Sequence, residues 1–320
     1  MNEQHVPVPG AGADIVVEKL PRVFRIQAIE RLPFDQKCMR SRATLFHERA
    51  TLNVEWLSQH CDVRLTVGSL VSIRWSGRPV SCNGAVRIAR LVLLEKPEAS
   101  INLFDTIPTA WVRDRELVKR GGAIWAKLPR GFCHMFNAIF WEAGRFHRFV
   151  TGPSSLRGHH HAPGGNLRHS IEVAERALGL AAKDTAACVH VLLLASLLHD
   201  AGKADEYRLV NRRFVLSDRG RLVGHRHTVI EWIAAARARY QVIVPDADYL
   251  ALMHVLTCAK GAPPWLGMRE PQSLDATILK MADRVSAQGE LIGRHAPGET
   301  GFGRYHPHLG MRPFVVRPEV

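Results

Sequence analysis

Cysteine is sparse and unpaired in this chain. The six residues, at positions 38, 61, 82, 133, 188 and 258, form no Cys-x-x-Cys pair. Such scatter favours neither a zinc knuckle nor a disulfide framework, and implies buried thiols in a reducing compartment. Long apolar runs are also missing: none approaches the roughly 20 residues that a membrane-spanning helix needs. The first stretch, Met1 to Asp14, is polar and rich in Pro and Gly, which is unlike a signal peptide. The expectation is a cytoplasmic protein without a membrane partner. There is no internal repeat and no low-complexity segment. Acidic residues are in deficit, with 30 Asp and Glu against 43 Lys and Arg, for a net charge of +13 and a pI near 10.0. Most of the excess is arginine, whose planar fork suits phosphate. The balance points to a polyanionic partner, nucleic acid ahead of a membrane surface.

What is present suits one large or two modest domains: 320 residues, 46% hydrophobic and 23% charged. Five extended runs fall within residues 15–97, at Val23–Ile29, Arg42–Phe46, Thr51–Leu57, Leu70–Trp75 and Val86–Leu93. Ser76-Gly77-Arg78-Pro79 and Cys82-Asn83-Gly84 punctuate them as turns. Five short strands of this kind suit a small β-barrel, an OB-like fold, with a β-sandwich as the alternative. Beyond residue 97 the periodicity becomes helical. The predicted fold class is therefore α+β, a small N-terminal β-barrel followed by an all-α domain. The expected boundaries are a disordered 1–14, an OB-like nucleic-acid-binding domain at 15–97, and a linker with a helical connection at 98–150. A helical domain at 151–295 and a surface-wrapping tail at 296–320 complete the chain.

The chemistry concentrates in the helical half. Thr185 to His199 is almost wholly apolar, as a buried central helix should be, and it ends in the doublet His199-Asp200. His169 lies 30 residues upstream and Asp283 far downstream, each on a helix-like segment. A doublet alone could be a helix cap beside a core histidine. Two imidazoles and two carboxylates are donor types that suit a divalent metal, with Mn²⁺ first and Fe²⁺, Ni²⁺, Zn²⁺ or Mg²⁺ as alternatives. Such an ion polarises a phosphoryl oxygen and brings the pKa of water toward neutrality. Asp200 is the candidate to bridge metal and nucleophile, and Lys203, one turn on, would set a positive charge near a substrate phosphate. The bland alternative for Lys203 is a solvated lysine.

The order His169…His199-Asp200…Asp283 resembles the HD phosphohydrolase superfamily. From Val150 to about Gln288 the chain further resembles the YhaM-type 3′→5′ exoribonucleases, which join an OB-like domain to an HD domain. The matching stretches are His159-His160 with Gly165 and His169, Leu198 through Glu206, Leu222-Val223-Gly224-His225, and His254 with Gly261 and Trp265. That resemblance implies a metal-dependent 3′→5′ exonuclease on single-stranded RNA or DNA, with His225 and His254 as outer candidates around the metal. Where the family carries Ser-His-His-Gly this chain reads Cys258-Ala259-Lys260-Gly261. The departure favours one metal over two, and leaves Lys260 to substitute electrostatically or to be merely solvated. The triplet His159-His160-His161 before Ala162-Pro163-Gly164-Gly165 is similar to MobH-type conjugative relaxases of the TraI_2 kind. That similarity implies processing of conjugative DNA. A third reading is a catalytically weakened HD protein that only binds single strands. The triplet and Lys260 are candidate substrate contacts, as are Arg74 and Trp75 in the strand region, where arginines alternate with aromatics as single-strand binding requires. The residues alone fix neither polarity nor oligomeric state.

Overall fold

The computed structural model describes residues 17–77, 81–82 and 84–317. The stretch 1–14 and the turn residues Arg78, Pro79 and Asn83 lie outside the described residues. The chain divides into two compact units, residues 1–126 with 133–147, and residues 127–132 with 148–320.

The first unit is built on β1 (Phe24–Pro33), β2 (Met39–His47), β3 (Ala50–Ser58), β4 (Leu70–Arg74), β5 (Ser81–Cys82), β6 (Ala85–Arg87) and β7 (Arg90–Leu93). They form one curled sheet in the order β5-β6-β3-β2-β1-β4-β7. Alternation makes the strands. In β3, Ala50, Leu52, Val54 and Trp56 are buried while the residues between them are not, the period of two that places one face on a core. A register shift in β1 between Ile26 and Ala28 inserts a residue, which bends and twists the strand. The run Ala85–Leu93 divides its pairing: Val86 lies parallel to Val54 of β3, whereas Leu91 and Leu93 lie antiparallel to Ile73 and Val71 of β4. Phe24, Ile26, Leu45, Leu52, Val54 and Val71 fill the interior.

Residues 98–126 and 133–147, read from sequence as linker and helical connection, pack with these strands. They include α1 (Arg115–Trp125) and most of α2 (Arg130–Phe140) and α3 (Ala143–Thr151). Arg25 is the polar hub of this unit, with no exposed surface. Its guanidinium donates to the Thr106 carbonyl (3.0 Å), to Thr106 Oγ1 (2.9 Å) and to the Gly68 carbonyl (2.7 Å), between the rings of Trp111 and Phe146.

The second unit is mainly helical: α4 (Gly165–Ala181), α5 (Val189–Leu198), α6 (Lys203–Glu206), α7 (Asp218–Leu222), α8 (Gly224–Tyr240), α9 (Asp246–Thr257) and α10 (Leu274–His295). Every residue of α5 from Val191 to Leu198 is fully buried. A helix apolar on all sides can only be central, and each buried leucine contributes about 1.5–3 kcal/mol. One feature departs from the all-α expectation. β8 (Tyr207–Val210) and β9 (Arg213–Leu216) form a hairpin closed by Asn211 and Arg212, both at positive φ. Asn favours that conformation but Arg does not, so the turn carries no Asn-Gly signature. In the tail, β10 (Gly301–Phe302) and β11 (Phe314–Val315) pair as a second hairpin. No helix among the described residues is long and apolar enough to cross a membrane.

Candidate metal centre

The first residue after α5 is His199, still helical in φ and ψ, and Asp200 follows in a series of tight turns. Gly202 is required there. A Cβ on it would stand 2.2 Å from the His225 carbonyl oxygen, so the start of α8 approaches only because the side chain is absent. Gly165, which opens α4, meets the His160 carbonyl in the same way at 1.9 Å. Both close approaches draw histidine-bearing segments toward the end of α5.

Four elements converge as a result. His169 on α4 places Nε2 3.0 Å from Asp283 Oδ1 on α10, 3.3 Å from His199 Nε2 and 3.4 Å from Asp200 Oδ2. His199 Nε2 lies 3.6 Å from Asp200 Oδ2 and 3.9 Å from Asp283 Oδ1. His225 Nε2 on α8 lies 3.4 Å from Asp200 Oδ1. A cation with bonds of 2.0–2.3 Å separates neighbouring ligand atoms by about 3.0–3.7 Å, so the donor set fits one. Two overlapping groups can hold an ion, His169–His199–Asp283 and His159–His169–Asp200.

The far nitrogen of each imidazole is occupied. His169 Nδ1 meets Ser286 Oγ at 3.1 Å, His199 Nδ1 donates to the Ser196 carbonyl at 2.9 Å, and His225 Nδ1 meets Glu206 Oε2 at 2.7 Å. This turns all three Nε2 atoms inward, the outer support that metal-binding histidines use. Burial pushes His169 below its ordinary pKa, against the pull of Asp283 and Asp200. The neutral imidazole that results is the ligand form. Burial would raise Asp200, but Lys203, His199, His169 and His225 outweigh it and hold the carboxylate well below its ordinary value. For Asp283 burial is likewise overcome, chiefly by the bond from His169. Lys203 Nζ donates to Asp200 Oδ2 at 2.6 Å and to Ser154 Oγ at 3.3 Å.

The remaining sequence-predicted residues divide. His159 joins the centre, its Nε2 3.3 Å from Ser154 Oγ, and burial with His169 and Lys203 lowers its pKa to about 3. His160 is buried in the left-handed region, with Nε2 3.4 Å from both Glu172 Oε2 and Ser286 Oγ, so it stands behind His169. His161 accepts at Nδ1 from Arg294 at 2.7 Å and does not face the cluster ligands in any hydrogen bond among the described residues. Lys260 is exposed after α9, with no polar contact to the cluster among the described residues, and His254 Nε2 is taken by the Gln272 amide at 2.9 Å. Arg74 and Trp75 belong to the first unit. Arg74 is exposed at the end of β4, while Trp75 is half-buried against the sheet core.

Sequence reasoning missed Ser154, Glu172, Glu206 and Ser286. Helical spacing held a clue to two of them, since Glu172 and Ser286 each follow a ligand by three residues on the same helix face. Ser154 and the Glu206–His225 pairing arise only from tertiary approach. Beside the cluster a pocket of about 590 Å³ opens from His159 and Glu206 toward Leu156, Tyr207, Leu216 and Leu291, with Arg157 and Gln288 among its polar lining.

The HD-domain family model matches residues 166–288, a span that contains His169, His199, Asp200, His225 and Asp283. Residues 166–288 form an HD domain. HD domains bind divalent metals and imply a metal-dependent phosphohydrolase. No curated protein and no solved structure matches the chain.

Proposed function

We propose that this HD domain hydrolyses phosphodiester bonds in single-stranded nucleic acid, RNA in preference to DNA, and removes nucleotides from the 3′ end. The observation that carries the reading is the pocket at the rim of the cluster. Its volume of about 590 Å³ falls in the range for a small-molecule site. The apolar walls at Leu156, Tyr207, Leu216 and Leu291 suit one terminal nucleoside better than a continuous duplex, and Arg157 offers a fork for phosphate.

His169, His199, Asp200 and Asp283 would hold the cation, with Mn²⁺ the first choice and His159 and His225 at its edge. The ion supplies Lewis-acid polarisation of the phosphoryl oxygen and an acidified water. The chain's own residues do the rest. Asp200 stays ionised because Lys203 and the imidazoles surround it. His225, backed at Nδ1 by Glu206, turns Nε2 into the cluster beside Asp200 Oδ1, where it would accept the proton of the attacking water. Lys203 Nζ, within reach of both Asp200 and Ser154, is set to face the negative charge that grows on the phosphoryl group. Water adds to phosphorus, the bond to the 3′ oxygen of the preceding nucleotide breaks, and that oxygen takes up a proton.

The first unit supports a strand substrate. The parallel β3–β6 and antiparallel β4–β7 pairings of the run 85–93 favour the OB-like reading. A groove of about 330 Å³ on that unit is lined by Phe34, Arg40, Leu57 and Arg87, with Arg40 4.6 Å over the Phe34 ring. An aromatic beside arginines is what base stacking and phosphate binding need. His159 in the metal centre favours a second reading, a MobH-like nickase of conjugative DNA, because the His triplet carries that resemblance. Single-stranded RNA and DNA labelled at either end, incubated with Mn²⁺ beside an Asp200→Ala control, separates the readings. A ladder shrinking from the 3′ end supports the exonuclease. Nicking confined to supercoiled plasmid supports the relaxase, and binding without cleavage under any divalent metal overturns both.

A further inference from the structure

At the opposite end of α5 from the HD cluster, three residues of different ligand chemistry meet. Cys188 immediately precedes the helix, His190 is its second residue, and Asp248 lies in the first turn of α9. Their ligand atoms all lie within 4.8 Å of one another. His190 Nε2 is 3.2 Å from Asp248 Oδ2, and Cys188 Sγ is 3.3 Å from the same nitrogen. His199 follows His190 by nine positions, so this corner is about 13 Å along the helix from the HD ligands.

We infer that Cys188, His190 and Asp248 form a second metal site, selective for a thiophilic divalent cation of the Zn²⁺ type. Three features argue for it. First, a catalytic Cys–His–Asp relay needs sulfur and carboxylate on opposite ring nitrogens, whereas here both crowd Nε2. The sulfur lies over the ring, 3.3 Å from Nε2 and 3.7 Å from Nδ1, and is not committed to an in-line bond with either. Without metal the Nε2 proton can serve Asp248; a cation replaces that proton and draws in the sulfur. Secondly, the charge is unbalanced. Asp275 on α10 also faces this corner and accepts from the Cys188 amide at 2.8 Å. Among the described residues neither Asp248 nor Asp275 is paired with Lys or Arg, in a chain of net charge +13. A divalent ion held by Asp248, His190 and Cys188 would balance this local negative charge. Thirdly, the site is accessible yet supported. The His190 and Asp248 side chains are 34% and 29% exposed, while the Phe132 ring packs against the imidazole at 5.3 Å between centroids. Sulfur, imidazole and carboxylate together suit Zn²⁺ over Mg²⁺ or Mn²⁺. The ion would tie the start of α5 to the start of α9 and leave its remaining position to solvent.

The full chain, stripped by a chelator and titrated with Co²⁺, provides the test. The HD cluster offers only nitrogen and oxygen, so a sulfur-to-cobalt charge-transfer band reports a cysteine site, which its loss in Cys188→Ser assigns to Cys188, whatever the outcome for hydrolysis. Wild type should develop the band to a saturable plateau, with the HD cluster taking up its own Co²⁺ without contributing to it, and Zn²⁺ should erase the band. Cys188→Ser should lose the band, Asp248→Asn should weaken Co²⁺ binding at least tenfold, and Asp200→Asn should leave the band unchanged. If Cys188→Ser fails to give a native circular dichroism spectrum, Asp248→Asn, which retains the thiol, carries the test. No band in wild type, an undiminished band in Cys188→Ser, or unweakened binding in Asp248→Asn overturns the inference.

Discussion

Replacing Lys203 with methionine removes the cation nearest Asp200 while keeping a buried stem of similar length. Nζ lies 2.6 Å from Oδ2, and the two residues are only 9% and 6% exposed. Breaking a buried ion pair costs about 3–5 kcal/mol, because the surviving charge is left uncompensated. His169, His199 and His225 lie 3.4, 3.6 and 3.4 Å from the Asp200 oxygens and can offset part of that charge. The expected loss in the metal-free protein is therefore at the lower end, about 3 kcal/mol. A divalent cation at the same carboxylate restores the missing charge, so saturating Mn²⁺ should recover most of the loss. Urea unfolding followed by circular dichroism, in EDTA and in Mn²⁺, measures both quantities for wild type and Lys203→Met. If the variant binds Mn²⁺ yet lacks the ammonium that faces the phosphoryl group, its turnover should still fall about 10²–10³-fold. Equal destabilisation with and without metal, or none in EDTA, would refute the reasoning.

Three further predictions follow from named contacts. Ser286→Ala frees Nδ1 of His169 and should weaken Mn²⁺ binding about 10–100-fold by calorimetric titration, with every direct ligand still present. Arg25→Leu leaves the Thr106 and Gly68 carbonyls without their donor and should destabilise the first unit by about 2–4 kcal/mol in urea unfolding. His47 is lowered to about 4 by burial and, secondarily, by Arg49. Between its ordinary value of 6.5 and 4 the unfolded chain binds the proton and the folded chain does not. Stability is thus complete above pH 6.5 and is lost as pH falls toward 4; His47→Phe should flatten that part of the pH–stability profile.

Much of the centre was legible because helices convert short spacing into position. The apolar run of α5 gave a buried helix, and the helix delivered His199 and Asp200 together. His169 and Asp283 could be paired with them only through resemblance, since the approach of α4 and α10 is tertiary. The same limit hid Ser154 and the Glu206–His225 pair. Of the two readings of Lys260, electrostatic substitution for a missing cation or simple solvation, the exposed loop after α9 fits the second. The strands were legible from alternation, as in Ala50 to Trp56. The β8–β9 hairpin was not, because Asn211-Arg212 lacks the glycine that marks such turns. Of the arginines that alternate with aromatics in the strand region, Arg25 is buried by its position in β1.

The most direct test of the HD centre is the hydrolysis of a simple diester, bis(p-nitrophenyl) phosphate, by chelator-stripped protein with Mn²⁺ added back. The account predicts that p-nitrophenolate release is absent without metal, saturates with Mn²⁺, and is lost in His169→Ala and Asp283→Asn, both folded by circular dichroism. Release that persists in both variants, or none from wild type with any divalent metal, would contradict it.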